Sequence, residues 1–394
     1  MPSLRNWRKK RVTKSDDKKV PALRFKGFTD DWEQRKLGEV LLVNSGKDYK
    51  NLNKGNIPVY GTGGYMLSVN RALSNENAIG IGRKGTIDRP QYLIAPFWTV
   101  DTLFFLTVKN QNDLKFFYAL FQKINWKKYD ESTGLPSLSK STLNNIFLKN
   151  PNYKEQKKIG LLLSQIEVLI TLQQRKLEQL NLLKKGLLQK IFSDNDFRPN
   201  LRFKNFNEKW KQHKLGSIVH WSKGNHLKKS TLNSKYDGYE VIHYADLYKF
   251  KPVLSKVIHW SRNNTGTIIP ANSLLFPMSD VTPDGLARTT AMMKNGVRAG
   301  SDILIATVKN NNAEFLSYQI NLYSKRIVPL VTGTTIRHIN SKALSTLNIK
   351  IPTNSEQNII SKLFIFFENF VDLQQSKINQ LKLLKKFILN NMFI

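Results

Sequence analysis

The chain has 394 residues, and 62 Lys or Arg against 29 Asp or Glu give it a formal net charge of +33, which favours a polyanionic partner and above all nucleic acid. At roughly 150 residues per domain the length predicts about two to three domains, and 40% hydrophobic residues exclude a chain that is disordered throughout. The lack of Cys excludes disulfides and thiolate metal sites. The sequence has no apolar run near ~18 residues and no signal-peptide core, which predicts a cytoplasmic protein with no membrane partner.

Residues 1–20 form a basic leader, which contains Arg8-Lys9-Lys10-Arg11 followed by Lys14, Lys18 and Lys19. A solvated segment and a set of auxiliary phosphate contacts are both open interpretations. The basic excess does not stop there, because residues 21–150 hold 18 basic against 11 acidic residues and residues 199–351 hold 22 against 8. This spread favours folded binding surfaces over a single basic arm.

An internal repeat organises the rest of the chain. Residues 21–28 (PALRFKGF) recur at 199–206 (PNLRFKNF), and both copies are followed by a Trp and a Lys-Leu-Gly at a constant offset of 178. Further on, the pairs EQ and QQ and the run LLKK recur at an offset of 201. The chain therefore alternates block and helix, and the predicted segments after the leader are 21–151, 152–198, 199–352 and 353–394.

Between their matched ends the two blocks share little sequence. Gly38 to Gly134 spans 96 residues, whereas Gly216 to Gly333 spans 117. A shared frame with different contents predicts two domains that have one scaffold role and two different binding targets.

Each repeated helix opens with a capping signal. Asn152-x-x-Glu155 and Thr353-x-x-Glu356 predict capping boxes, in which the carboxylate reaches back to the N-cap residue. The apolar residues that follow keep a heptad spacing, which both helices interrupt at equivalent places with a Gln (173 and 374) and a Lys (184 and 385).

One such stripe would also fit the core of a globular domain, but its duplication favours an antiparallel pair about 55 Å long. A pseudo-two-fold axis would then relate the halves, and one chain would read a bipartite, asymmetric target. The predicted interface comprises Ile159, Leu163, Ile166, Ile170, Leu177, Leu180, Leu187 and Ile191 on the first helix and Ile360, Phe364, Phe367, Val371, Ile378, Leu381, Ile388 and Met392 on the second.

Two motifs resemble catalytic signatures but lack their context. Residues 80–85 (GIGRKG) match the dinucleotide fingerprint, yet strand-like sequence follows where the fingerprint needs a helix. Two interpretations stay open: a tight hairpin whose glycines take φ > 0, and a loop that brings Arg83 and Lys84 close to phosphates or base edges. Residues 150–153 (NPNY) are similar to an adenine methyltransferase motif, but without a methyl-donor loop they predict a helix start. We expect no catalytic residue and no metal site.

Several loop-forming stretches carry hydrogen-bond donors suited to DNA. Arg and Lys fit guanine edges and Asn fits adenine, although a phosphate contact and plain surface remain alternatives at each position. The predicted DNA-binding residues are Lys47, Tyr60, Thr62, Arg83, Lys84, Thr86 and Arg89 in the first block and Lys223, Asn225, His226, Lys228, Ser279, Arg288, Arg298, Thr335 and Arg337 in the second.

Over residues 20–394 the layout resembles the specificity (S) subunits of type I restriction–modification enzymes. The resemblance rests on the doubled LRFKxF, Trp and KLG opening and on the doubled EQ, QQ and LLKK helix. Residues 81–87 (IGRKGTI) and 97–102 (FWTVDT) also look like the target recognition domains of that family. The second block departs from it, since residues 276–283 (FPMSDVTP) replace the GRKGTI run, and contacts therefore cannot be transferred between the blocks.

The resemblance implies two α/β target recognition domains joined by two long helices, with no catalytic activity and no cofactor in this chain. Its implied partners are double-stranded DNA, two modification subunits that methylate adenine with S-adenosylmethionine, and restriction subunits driven by ATP and Mg²⁺. The alternative is a stand-alone bivalent nucleic-acid-binding adaptor, which would bind tightly without a methyltransferase.

Overall fold

A computed structural model describes residues 20–192, 197–227 and 229–394. The basic leader up to residue 19 and the predicted DNA contact Lys228 lie outside the described residues. The chain divides into two compact units, the first running up to Arg175 and including Ser376–Ile394, the second comprising Lys176–Gln375. Each unit holds one sequence block and a part of both long helices. The five-segment division made from the sequence stays a prediction.

The first unit contains one block of short strands and helices and the beginning of a long helix that continues into the second unit. Its elements are β1 (Glu33–Lys36), α1 (Leu37–Val40), β2 (Leu41–Ser45), β3 (Lys54–Gly61), β4 (Gly64–Val69), β5 (Ala78–Gly82), β6 (Gln91–Leu93), β7 (Trp98–Thr99), β8 (Leu103–Val108), α2 (Leu114–Phe121), α3 (Lys140–Asn145), β9 (Phe147–Asn150) and α4 (Tyr153–Ile191), with a 3-10 turn at Trp126–Tyr129.

The core of the first unit is an antiparallel sheet in the order β2, β8, β5, β6. All five residues of β5 are buried, as a short uninterrupted apolar run predicts for a central strand. Helix α2 covers the sheet with Phe116, Phe117 and Phe121, which are fully buried. Strands β4, β3 and β7 form a smaller sheet, and β1 pairs with β9.

The second unit has a similar order of elements, with three additional strands and one additional short helix. They are β10 (Lys211–Lys214), α5 (Leu215–Ile218), β11 (Val219–Lys223), β12 (Tyr239–Ile242), β13 (His259–Ser261), β14 (Thr267–Ile268), β15 (Ser273–Pro277), β16 (Ser279–Asp280), α6 (Pro283–Leu286), β17 (Thr290–Met292), β18 (Arg298–Ala299), β19 (Ile303–Val308), α7 (Ala313–Leu322), β20 (Arg337–His338), α8 (Ser341–Leu344), β21 (Asn348–Ile351) and α9 (Asn354–Met392), with 3-10 turns at Lys229–Thr231, Tyr244–Asp246, Ser324–Arg326 and Val328–Leu330.

The two blocks share a sheet although their sequences do not show it. The order β11, β19, β15, β17 repeats β2, β8, β5, β6, and the pair β10 and β21 repeats β1 and β9. Only the apolar pattern of a buried strand is kept, since β5 reads AIGIG and β15 reads SLLFP. Cores tolerate such exchanges when volume and patterning are preserved. The predicted fold class, two α/β domains with two long helices, is confirmed.

The starts of both long helices explain the repeated Arg and Glu, and they correct the predicted capping boxes. Asn152 Oδ1 accepts a hydrogen bond from the Glu155 N–H at 3.0 Å, so the N-cap is present. The Glu155 carboxylate, however, does not complete the box: it is fully buried and accepts two bonds from Arg24, at 2.6 and 2.7 Å. Arg202 holds Glu356 in the same way, with both bonds at 2.8 Å. The carboxylate therefore fastens the opening motif of each block to its helix.

The Gln of the repeated EQ pair fixes the same helix start to another helix of its unit, α2 in the first unit and α7 in the second. Gln156 Nε2 donates to the carbonyl of Pro151 at 2.9 Å, and Gln156 Oε1 accepts from the N–H of Asp113, the N-cap of α2, at 2.9 Å. Gln357 repeats both contacts, with Pro352 at 3.0 Å and with Asn312 at 2.9 Å. A buried amide with both its donor and its acceptor satisfied specifies one arrangement.

Within each unit the two long helices run antiparallel. In the second unit Lys184 of α4 pairs with Glu368 of α9, and directly after the end of α4 the Phe192 ring stacks on Phe364, which lies earlier in α9. In the first unit Lys385 of α9 donates to Glu167 of α4 at 2.6 Å. Both charged interruptions of the heptad thus meet a Glu of the other helix.

The predicted interface positions are buried or partly buried, and their contact between the two helices stays a prediction. Buried are Ile159, Leu163, Ile166, Ile191, Ile360, Phe364, Ile378, Ile388 and Met392, and partly buried are Ile170, Leu177, Leu180, Leu187, Phe367, Val371 and Leu381. Among the helices of the described ranges, none combines the length of a bilayer crossing with a sufficiently apolar sequence.

Candidate nucleic-acid interface

In the first unit the candidate site is built around the loop of residues 83–90, which joins β5 to β6. The loop, all of which is described, contains no helix, so nothing there could hold a pyrophosphate at a helix N-terminus. Its start is fixed by two backbone hydrogen bonds, from Arg83 N to Thr102 O at 2.7 Å and from Leu138 N to Arg83 O at 2.9 Å.

The glycines of residues 80–85 do not all have the conformation that a tight hairpin requires. Only Gly85 takes a positive φ, of 87°, whereas Gly80 and Gly82 are extended residues of β5. Gly82 is required for another reason, because a Cβ there would lie 2.1 Å from the carbonyl oxygen of Thr86. The β5–β6 connection is therefore a wide loop folded back on its own strand, and a tight hairpin with positive-φ glycines is wrong for Gly80 and Gly82.

Arg83 and Lys84 leave this frame as exposed side chains. They line a cleft of about 330 Å³ together with Ser45, Phe104, Glu131 and Lys140. The Arg83 guanidinium lies 5.9 Å from the centre of the Phe104 ring, which orients it without neutralising its charge. The cleft presents three cations against the single carboxylate of Glu131, and it suits an anion such as a phosphate.

The other predicted residues of the first block gather near the same loop. Lys47 N donates to Thr99 O at 2.9 Å, and Thr99 is paired with Tyr60 in the parallel contact of β3 and β7. The next turn is tied to β6, since Gln91 Nε2 donates to the carbonyl of Thr62 at 3.2 Å. Thr86 is partly buried and Arg89 is exposed further along the loop.

The second unit presents an equivalent frame with other side chains. Met278 N donates to Asp302 O at 2.9 Å and Ile339 N donates to Met278 O at 3.0 Å, which repeats the two bonds that fix Arg83. Met278 and Ser279 therefore occupy the backbone positions of Arg83 and Lys84. The sequence could not show this, because residues 276–283 share no motif with the first block.

Three predicted residues of the second block meet at this frame. Tyr248 Oη donates to Ser279 O and Arg288 Nη1 donates to Tyr248 O, both at 2.9 Å. In the adjoining strand pair of β16 and β20, Asp280 lies opposite Arg337. Burial raises the pKa of Tyr248, which keeps its hydroxyl a donor. Thr335 is exposed at the tip of the turn before β20.

Asp280 is the anionic member of this group. Burial alone would raise the pKa of Asp280, but the N–H and the hydroxyl of Thr282 donate to its carboxylate and the Tyr248 hydroxyl lies close to it, so that the net pKa lies below the ordinary value. The carboxylate is therefore ionised at neutral pH and shapes the loop that carries Ser279.

A second group of predicted residues lies around β18. Arg298 Nη1 donates to Gly266 O at 3.3 Å, and Asn225 N donates to Ala299 O at 3.3 Å. Lys223 and His226, on either side of Asn225, are exposed. The structure thus brings Lys223, Asn225 and Arg298 together around β14 and β18.

The three arginines predicted to bind DNA in the second block are partly buried and bond to backbone carbonyls, as Arg288 and Arg298 do above and Arg337 does to Gly333. In the part of the chain that the structure describes, the buried Nε of each has no hydrogen-bond partner. Loop support is therefore part of their role, and base contact stays a prediction for all three.

Sequence reasoning missed the segment of residues 134–140, of which it used only Gly134 as a landmark. Asp130 organises this segment: its carboxylate accepts from the N–H groups of Ser137 at 2.9 Å and Ser132 at 3.0 Å, and these bonds lower its pKa. The signal available was the cluster of Ser, Thr, Gly and Pro from 132 to 137, which marks a structured turn.

The residues that resembled catalytic motifs have structural roles. Asn152 of the NPNY sequence is the N-cap of α4, as its hydrogen bond to Glu155 shows. Among the described residues no three His, Asp or Glu side chains are grouped so that they could hold a metal ion.

Comparison with known proteins agrees with this architecture. The family model of the type I restriction modification DNA specificity domain matches residues 29–182 and 207–383. The chain is 24% identical to the type I restriction enzyme MjaVIII specificity subunit of Methanocaldococcus jannaschii. The alignment of 341 residues covers 80% of this chain and 75% of that relative.

A solved structure has the same fold. The S subunit of a type I restriction–modification system from M. genitalium aligns with a TM-score of 0.70 at 14% identity, over 95% of this chain and 99% of that one. Because the family model matches far more than half of the residues, in two copies that each cover one block and most of the helix after it, the chain belongs to the family of DNA specificity subunits of type I restriction–modification systems.

Proposed function

We propose that this specificity subunit reads a bipartite, asymmetric target in double-stranded DNA, one half-site with each unit. The observation that carries the proposal is the pair of equivalent frames: Arg83 and Lys84 stand in one where Met278 and Ser279 stand in the other. Two frames with the same backbone and different side chains favour two different base sequences over one repeated sequence.

The charge of the chain supports duplex DNA as the partner. A net charge of +33 attracts a polyanion and is neutralised on it with release of counterions. Specificity subunits contribute no catalytic group, and the chemistry lies in their partners. We infer two modification subunits, which use S-adenosylmethionine to methylate adenine, and restriction subunits, which use ATP and Mg²⁺, in the cytoplasm where the DNA is.

The decisive experiment is a methylation map of the host genome with and without this gene. We expect one bipartite motif with two different halves to lose adenine methylation in the deletion strain and to regain it on complementation. A palindromic motif would contradict the two-reader proposal. An unchanged map, with no methyltransferase recovered alongside the purified chain, would favour the stand-alone adaptor.

A further inference from the structure

An exposed aliphatic side chain lies beside the 83–90 loop of the first unit. The segment of residues 134–137 is fastened to that loop, since Gly85 N donates to Pro136 O at 2.8 Å and Lys84 forms a β-bridge with Ser137. Two residues before Ser137, Leu135 is 66% exposed. The turn that carries Leu135 is closed by a hydrogen bond from Glu131 N to Ser137 O at 3.1 Å, so the exposed position of this side chain is a property of the fold.

The second unit repeats this arrangement with a different sequence. Ser279, the equivalent of Lys84, lies opposite His338 in the pairing of β16 and β20. Two residues before His338, Ile336 is 54% exposed. The turn reads GLPS in the first unit and TIRH in the second, so an aliphatic residue recurs at one backbone position while its neighbours differ.

The surroundings of the two side chains indicate what they contact. Arg83, Lys84 and Lys140 line a cleft together with Ser137, which is two residues after Leu135. Arg337 directly follows Ile336. An apolar protein surface would have to desolvate these cations without compensation, whereas a nucleic acid offers phosphates to the cations and an apolar feature to the aliphatic group. That feature is the C5-methyl group of thymine, which is displayed in the major groove.

We propose that Leu135 and Ile336 are equivalent specificity-determining residues, each of which contacts a thymine methyl group in the half-site read by its own unit. The inference rests on the proposed function, because it requires both units to read DNA. Removing one methyl group from such a contact weakens binding by a factor of about four.

The test uses the full complex with its modification subunits and a set of target duplexes in which each thymine in turn is replaced by deoxyuridine. This replacement removes only the methyl group. We expect the parent to lose about fourfold affinity at one position in each half-site. Leu135→Ala should abolish the thymine preference in one half only, and Ile336→Ala should abolish it in the other half only.

Matched controls stand at the opposite end of the central strand in each unit. Ile94 follows β6 and is 65% exposed, and Met293 follows the equivalent strand β17 and is 38% exposed. Ile94→Ala and Met293→Ala should keep both thymine preferences. All four residues are exposed, so their variants should melt like the parent.

Three results would overturn the inference: equal binding of all thymine and uracil duplexes by the parent, a half-site that contains no thymine on either strand, or alanine variants that keep the preference. Failure of the proposed function is recognised separately. In that case the parent complex would bind its target no better than a scrambled duplex, and the inference would fall with it.

Discussion

At the residue scale, the repeated letters of the sequence are explained by contacts that join distant segments. The Arg of each LRF opening neutralises the buried Glu of an EQ pair more than a hundred residues away, and the Gln next to it fixes the same helix start. The sequence predicted the N-caps correctly. It could not predict that the carboxylate would turn toward an Arg, because a local pattern contains no information about a partner so distant along the chain.

This ion pair yields a stability prediction. Arg24→Ala leaves the fully buried Glu155 without its partner and should lower the free energy of unfolding by about 3–5 kcal/mol, as measured by urea denaturation of the full chain. Arg24→Met combined with Glu155→Gln should restore part of the loss, because no charge is then buried.

The control for that prediction is the exposed pair of Arg35 and Glu33, whose side chains are 51% and 68% exposed. Arg35→Ala should change stability by less than about 1 kcal/mol. Equal losses for Arg24→Ala and Arg35→Ala would mean that burial of the first pair has no energetic weight.

A second prediction at this scale concerns how the 83–90 loop meets DNA. Arg83→Ala with Lys84→Ala, in the complex with modification subunits, should lower affinity and make the dependence of log K on log salt shallower by about 0.9 for each phosphate contact removed. Binding across a salt series to specific and scrambled duplexes measures both effects. Phosphate contacts should weaken both duplexes alike, whereas a base contact should weaken the specific one alone.

Lys154→Ala with Lys157→Ala removes the same charge from exposed positions in the first turns of α4. This control should leave the slope close to that of the parent. If the loop variant also kept the parent's slope and affinity, the loop would point away from DNA.

At the element scale, the heptad was readable from the sequence and its register was not. The heptad spacing of apolar residues identifies the predicted interface of α4 and α9. Each Lys that interrupts the heptad pairs with a Glu that is not one of the predicted interface positions. Glu167 and Glu368 are themselves 201 residues apart, which is the offset of the repeat. The repeat therefore marks these two carboxylates as partners of the Lys residues, whereas the heptad pattern alone does not. A charged residue inside such an interface lowers stability, but it specifies the register of the two helices when the opposite charge on the other helix pairs with it.

Exchanging the charges of the pair in the first unit tests this account. Lys385→Glu alone should destabilise the helix contact, because two carboxylates would then face each other, and Glu167→Lys alone should do the same with two ammonium groups. The double exchange should recover stability with a coupling of about 1–2 kcal/mol. Gln122, which bonds to both residues, can serve either orientation through its amide. Strictly additive unfolding energies would remove the pair from the determinants of register.

The apolar positions of the seam give a separate prediction. Ile378 is 1% exposed in the first unit, and Ile378→Asp should lower the unfolding free energy by about 3 kcal/mol or more, since its carboxylate would be buried without a partner. Leu177→Asp should cost less, because Leu177 is only partly buried in the second unit. Leu182→Asp, at a 69% exposed position of α4, is the matched control. A variant of Ile378 that melts like the parent and still assembles with modification subunits would show that the seam is misassigned.

At the scale of the whole molecule, the sequence showed the repeated ends of the two blocks but not the repeated sheets between those ends. The repeated ends are recognisable in the sequence because their contacts at the helix starts require the polar groups of Arg, Glu and Gln. The sheets inside are built from apolar runs that are interchangeable, so β5 and β15 share a position and almost no sequence. The candidate site was found in part for the same reason: donors are recognisable in a loop, but the segments that hold them, such as residues 134–140 beside Arg83, are brought there by the fold.

This arrangement determines where one half-site specificity can be exchanged. A foreign block grafted between Gly216 and Gly333 would divide the turn in which Thr332 and His338 exchange backbone bonds at 2.9 and 2.8 Å, and it would separate Ser279 from His338. A graft that runs from Gly216 through Ile339 keeps those contacts within one block. We therefore expect the longer graft to change one half of the methylated motif cleanly and the shorter graft to lose activity on both the old and the new target. Sequencing of methylated motifs in cells that carry either chimaera is the measurement. A change in both halves of the motif would contradict the assignment of one half-site to each unit. Full activity of the shorter graft would mean that the turn before β20 takes no part in reading DNA.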